Sequence, residues 1–177
     1  MTPEEKLRRF EAEISPHLGS AYNLARWLTR KHEDAEDIVQ EAFLRAFSSF
    51  ASFRGSDGRP WLLAIVRNTS MSFMSRSRSV AQAPDLDDVA RTTAAPDIDP
   101  ESQLLASCSQ EEIREALEKL PAEFREAIVL RELEELSYKE IATVTGTPIG
   151  TVMSRISRAR EGLRGLLTSR QKGAGTT

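Results

Sequence analysis

The chain has 177 residues, the length of one or two domains at roughly 100–200 residues each. Its 40% hydrophobic and 29% charged content excludes collagen-like, wholly disordered and disulfide-scaffold chains, and one cysteine, Cys108, makes neither an intramolecular disulfide nor a zinc site. The net charge of −3 hides a block pattern: residues 54–80 carry five basic residues and one acidic, 81–138 five and fifteen, and 139–177 seven and two.

Two basic blocks set apart by acidic stretches suggest two surfaces that face polyanions, although charge runs also arise as plain solvated faces. The opening MTPEEKLRRFEAEI is amphipathic and lacks a signal-peptide core. The longest apolar run, 61–66, is far too short for a bilayer, so no membrane insertion and a cytoplasmic location are expected.

The periodic signals are helical throughout. From Ala35 to Phe47, Ile38, Val39, Ala42, Phe43, Ala46 and Phe47 recur at three- and four-residue spacing, with Asp34 and Asp37 suiting a first turn. Pro60 suits the first position of the next helix, WLLAIVRNTSMSFM, and the Ser/Arg-rich stretch from Ser70 to Ser79 is expected to fray. Residues 80–108, with three prolines and five aspartates in VAQAPDLDDVARTTAAPDIDPESQ, read as a flexible acidic linker.

Ser109 with Glu112 forms a capping box, followed by Ile113, Ala116, Leu117 and Leu120 on one face. Pro121 starts a helix carrying Phe124, Ala127, Ile128 and Leu130. Ser137 with Glu140 is a second capping box, Gly146 a plausible terminator, and Thr147–Pro148 a restart. The tail from residue 171 is expected to be disordered. No segment alternates with period two. The fold expected is all-α: a helical domain at 1–79, a linker at 80–108 and a second helical domain at 109–170.

Helix, glycine turn and longer helix over 139–167 match a helix-turn-helix. Ile149, Val152, Ile156, Ala159 and Leu163 form the expected buried stripe. Thr151, Ser154, Arg155 and Arg158 form the opposite one, with hydroxyl and guanidinium groups suited to base edges in a major groove. Arg160, Arg164 and Arg170 suit phosphate contacts. A bundle helix with a wet basic face has the same periodicity.

Three blocks then carry a family resemblance: DAEDIVQEAFLRAF, SFRG with RPWLLAIVRNT, and LPAEFREAIVLRELEELSYKEIATVTGTPIGTVMSRISRAR. In this order they resemble the extracytoplasmic-function (ECF, group IV) sigma factors of the sigma-70 family of bacterial RNA polymerase, over about residues 10–168. The phrase RPWLLAIVRNT is nearest to the general-stress branch. The resemblance implies sigma region 2 in the first domain and sigma region 4 in the second.

By that resemblance, Asp37, Gln40, Glu41 and Leu44 dock on the β′ clamp of core polymerase, with Leu44 as an anchor. Arg59, Trp61, Arg67, Asn68 and Arg76 hold the non-template strand of the minus-ten element. Asn68 takes the flipped base, Trp61 serves the core or base stacking, and Arg54 and Arg78 add charge. Thr151, Ser154, Arg155, Arg158, Arg160 and Arg164 read the minus-thirty-five element, and the core polymerase partner is met at its β flap as well as its β′ clamp. Met153 stands where the family commonly has a basic residue and Ser157 where it commonly has an aromatic or histidine, which bears on promoter preference. Asp85, Asp87, Asp88, Asp97 and Asp99 would follow channels meant for nucleic acid, or form a solvated tether. A cognate anti-sigma factor is implied.

No catalytic constellation, cofactor motif or metal-ligand spacing appears; His17 and His32 lie on different segments, and His32-Glu33-Asp34 reads as a helix start. The expected protein is a non-enzymatic promoter-specificity subunit. The alternatives are a sigma-mimicking module that titrates an anti-sigma factor, and a stand-alone helix-turn-helix repressor.

Overall fold

A computed structural model describes residues 1–80 and 108–174. The acidic linker and its five aspartates lie outside the described residues. Among those described, every regular element is helical. No described helix is long and apolar enough to cross a membrane.

The first half contains α1 (Pro3–Glu13), α2 (Leu18–Thr29), α3 (His32–Ser49) and α4 (Gly58–Val80), with single 3₁₀ turns at Ser15–His17 and Phe50–Ser52. Thr2 caps α1 reciprocally with Glu5. Neither α2 nor α3 has a side-chain cap at its N-terminus. Their apolar stripes hold them instead: Ala21, Leu24, Ala25 and Leu28 from α2 meet Ala35, Ile38, Val39, Ala42 and Ala46 from α3 and Leu62, Leu63 and Val66 from α4.

An aromatic cluster closes the end of this bundle. Phe10 meets Phe43, Phe47 and Phe50 edge-on at ring separations of 6.0, 5.2 and 5.4 Å. Phe53 stacks beside Phe50 and lies 4.9 Å from the Trp61 ring. The chain enters α4 under tight constraint, since a Cβ on Gly58 would sit 2.6 Å from both the Glu13 carbonyl and the Ile14 side chain.

α4 continues through the serine-rich stretch expected to fray. Thr69 and Ser70 are fully buried, and their hydroxyls donate back to the carbonyls of Ile65 (2.7 Å) and Val66 (2.8 Å). Polar side chains that satisfy themselves on their own helix can be buried in this way without an outside partner.

The second half contains α5 (Gln110–Lys119), α6 (Ala122–Ile128), a π-turn (Val129–Leu133), α7 (Tyr138–Thr145) and α8 (Ile149–Ala174). Both expected capping boxes, at Ser109–Glu112 and Ser137–Glu140, are formed. Pro121 is the N-cap of α6 rather than its first residue. The helix from Pro121 does not run on uniformly: it widens into the π-turn and stops where Glu135 takes φ 54°. That break is closed by Glu134 N–H donating to Val129 O (3.1 Å) and Leu136 N–H to Leu130 O (3.1 Å).

Gly146, at φ 65°, ends α7 in the left-handed conformation that favours glycine. α8 runs to Ala174 rather than giving way to a disordered tail at 171, because each residue added to an existing helix costs no new nucleation. Residues 175–177 lie outside the described set.

The two halves pack against each other. α4 lies along α7, and α2 along α6 and the π-turn. Several polar contacts cross this boundary, and they bear on the candidate site.

Candidate nucleic-acid interface

Three rows of candidate residues follow from these helices. On α3, Ile38, Val39, Ala42 and Ala46 turn inward, which leaves Asp37, Gln40 and Leu44 exposed and Glu41 half-buried on the outer face. Leu44 is 67% exposed, the most exposed large apolar side chain among the described residues. An isolated outward leucine is ordinary; one in a row of carboxylate and amide groups is a surface suited to a basic partner with an apolar socket. Glu41 is already engaged, with Arg45 on its own helix and with Arg76 of α4 at 3.5 Å. Glu41, Phe73, Arg76 and Ser77 line a shallow surface hollow.

On α4, Leu62, Leu63 and Val66 point inward. Asn68 is exposed, and both its amide donors and its carbonyl can meet a base edge. Trp61 is half-buried against Phe53 and Phe50, so its ring joins the rim of the aromatic cluster. Arg54 folds back, donating to the carbonyls of Ala51 (2.6 Å) and Phe53 (3.2 Å).

Arg59 and Arg67 are half-buried, each beside an acidic side chain. Arg67 Nε donates to Glu126 Oε1 at 2.8 Å, and Arg59 Nη1 lies 4.0 Å from Glu134 Oε2. Both acids come from the second half. Local periodicity places these arginines on a basic face but says nothing of tertiary partners such as Glu126, 59 residues from Arg67.

On α8, Val152, Ile156, Ala159, Leu163 and Leu167 form the buried stripe. Ile149 departs from it and is 45% exposed, because as the first residue of the helix it lies at the open end of the packed stripe. Met153, 51% exposed, adds a second outward apolar group to the first turns. Thr151, Ser154 and Arg158 are half-buried, and Arg164 is exposed. Arg155 Nη2 lies 3.3 Å from Glu123 Oε2 of α6, and Arg160 donates to Glu132 Oε1 at 2.8 Å. Arg170 pairs with Glu115.

The charged groups that the linear reading missed sit at the boundary. Glu126 is 2% exposed; burial pushes its carboxyl above the ordinary carboxylate value, with the neighbouring Arg67 pulling the other way. Arg125, 3% exposed, is pushed down to about 10, first by burial and then by Arg30. Arg30 and Arg125 both donate to the carbonyl of Glu118 near the end of α5. The signal available in the sequence was the pair Arg125–Glu126 inside the otherwise apolar FREAIVL run.

Away from these rows, His32 Nδ1 meets the Tyr22 hydroxyl and Nε2 lies 2.9 Å from Glu36.

Two family models match the chain. "Sigma-70 region 2" covers residues 14–80 and "Sigma-70, region 4" covers 110–163. The chain is 36% identical over 154 residues to the ECF RNA polymerase sigma factor SigE of Mycolicibacterium smegmatis, covering 87% of this chain and 60% of that protein. It is 37% identical over 145 residues to the ECF RNA polymerase sigma-E factor of Haemophilus influenzae, covering 78% and 76%. Among solved structures, the sigma factor RpoE in complex with the anti-sigma factor NepR from Bartonella quintana is similar with a TM-score of 0.72 and 34% identity, over 91% of this chain and 98% of that one. CnrH in complex with the cytosolic domain of CnrY gives a TM-score of 0.63 and 26% identity, over 92% and 90%.

Proposed function

Because the chain belongs to the extracytoplasmic-function sigma factors of the sigma-70 family, we propose that it directs core RNA polymerase to particular promoters and helps open them. The outward row Asp37–Gln40–Glu41–Leu44 docks on the β′ clamp. α4 holds the unpaired minus-ten strand, with Asn68 on a flipped base and Arg59, Arg67, Trp61 and Arg76 along the strand. The helix-turn-helix of α7 and α8 enters the minus-thirty-five major groove, with Thr151, Ser154, Arg155 and Arg158 at base edges and Arg160 and Arg164 at phosphates. The domains are 1–79 and 109–170, joined by the acidic linker, and the core polymerase partner is met at its β flap as well as its β′ clamp.

The observation that carries this reading is the order of the two family regions along one chain, each falling on a helix whose outer face holds groups suited to its task. The protein is a binding subunit with no reaction of its own and works in the cytoplasm. The Bartonella structure contains the anti-sigma factor NepR, which supports control of this chain by a cognate inhibitor, released under stress.

Run-off transcription on fragmented genomic DNA with purified core polymerase tests the proposal. Discrete transcripts that require the added protein are expected; binding to core polymerase without any transcript would overturn it. Asn68→Ala should keep polymerase binding yet lose permanganate reactivity at the start site.

A further inference from the structure

One short acidic segment engages arginines assigned to DNA in both halves of the chain. Within α6, Glu126 holds Arg67 of α4 at 2.8 Å, while Glu123, one turn earlier, lies 3.3 Å from Arg155 of α8. Just beyond the π-turn, Glu134 faces Arg59 of α4 with one oxygen and accepts from Asn23 Nδ2 of α2 at 3.0 Å with the other. Arg30 donates to the carbonyl of Glu118, near the C-terminal end of α5, where the helix dipole favours a cation. Residues 110–135 carry nine glutamates against four basic residues.

A carboxylate offers a guanidinium the same planar, charge-assisted partner that a phosphate does. An arginine held by one cannot hold the other at the same time. Packing alone does not explain this choice of residues, since buried ion pairs replaced by apolar side chains are often neutral or stabilising. Charge at the boundary has a different consequence: a polyanion can compete for it. Burial raises the carboxyl of Glu126 despite Arg67, so this interface keeps its charge at a cost that opening relieves.

We propose that the acidic segment Glu118–Glu134 is an internal decoy for single-stranded DNA, holding Arg59 and Arg67 when the halves are closed, so that closure and strand binding exclude each other. The proposal rests on the assignment of Arg59 and Arg67 to DNA. Closure lowers apparent affinity by the fraction of time the chain is open; a chain closed about nine-tenths of the time gains about tenfold on full opening.

The test uses the full chain without polymerase and a fluorescent single-stranded oligonucleotide of mixed sequence, since phosphate contacts are independent of base identity. Anisotropy reads affinity and small-angle scattering reads the radius of gyration. Glu126→Lys sets like charges against Arg67 and Arg155. It should expand the chain and tighten binding by roughly tenfold, beyond the gain from the charge-matched surface control Glu4→Lys. Asn23→Asp opens the boundary from the other half and leaves α6 intact. It adds negative charge, which by itself weakens DNA binding, yet it should expand the chain and tighten binding. Arg67→Ala added to either variant should remove most of the gain.

Expansion without tighter binding, or no change in either quantity with Asn23→Asp, overturns the decoy. Run-off transcription reads the proposed function separately. Transcripts from the wild type alongside an unchanged Asn23→Asp affinity defeat the decoy alone. Tighter binding by the variants with no transcript from any promoter supports the decoy and defeats the promoter role alone.

Discussion

The two halves of the molecule are stabilised by different means. Residues 1–80 rely mainly on bulk packing: beside the one capping box on α1, α2 and α3 start without side-chain caps, and Phe10, Phe43, Phe47, Phe50, Phe53 and Trp61 lock α1, the end of α3 and the start of α4 together. Residues 108–174 rely on local chemistry: two reciprocal capping boxes, a left-handed glycine and a π-turn delimit short helices around an aliphatic core. The contrast suits their proposed tasks. A half that docks on polymerase and pries a strand open needs a stiff body. A half that inserts a helix into a groove needs accurately ended helices.

The largest expected effect strikes the packed half. Phe50→Ala removes a 2% exposed ring that touches Phe10, Phe53 and Trp61, and should cost about 3–5 kcal/mol. Both tryptophans, Trp27 and Trp61, lie in the first half, so the midpoint of their fluorescence transition in denaturant reports it. A loss under ~1 kcal/mol would show that the aromatic cluster does not dominate there.

The next effect separates the halves by how they meet DNA. In holoenzyme, Arg155→Ala should cost about 1–3 kcal/mol at particular upstream bases. Arg164→Ala should weaken binding at all sequences and flatten the salt dependence. Equal, base-independent losses from both would place the groove-facing stripe of α8 elsewhere.

Smaller effects test the capped half. Ser137→Ala breaks the reciprocal cap of α7, whose two hydrogen bonds are 2.8 and 3.1 Å, and should cost about 1 kcal/mol. Gly146→Ala, at φ 65°, should cost about 1–2 kcal/mol through backbone strain, since a Cβ there meets nothing within 4 Å. Hydrogen exchange should localise both losses to α7 and the start of α8, with Trp fluorescence unmoved.

The smallest effect is the dependence of closure on pH. Glu126 binds its proton more tightly in the closed chain than in water, because burial, helped slightly by the like charge of Glu123, outweighs Arg67 and the smaller influence of Arg155. The closed form then binds more protons, and its proton-linked stabilisation is full below the ordinary carboxyl value of 4.5 and lost as pH rises through the raised value. The radius of gyration should fall slightly on acidification across that window, and Glu126→Gln should abolish the change. Expansion on acidification would mean that Arg67 outweighs burial.

The sequence by itself determined the helical class, the caps at Ser109 and Ser137, the turn at Gly146 and the outward row on α3. Each is written in spacings of three to seven residues, over which neighbouring side chains and backbone groups meet whatever the rest of the chain does. The same locality made the buried stripe of α8 legible from Val152 onward, and made Ile149 look buried when only its place at the helix end decides otherwise.

Tertiary structure alone decided the rest. Helical propensity did not show that α4 would survive its serines; the surrounding helices bury Thr69 and Ser70, whose hydroxyls close on their own backbone. Nor does any short-range pattern pair Arg67 with Glu126 or Asn23 with Glu134, residues 59 and 111 positions apart. A charge in a linear pattern has a sign and a face. Its partner, and whether that partner occupies it, depends on which surfaces the packed helices bring together.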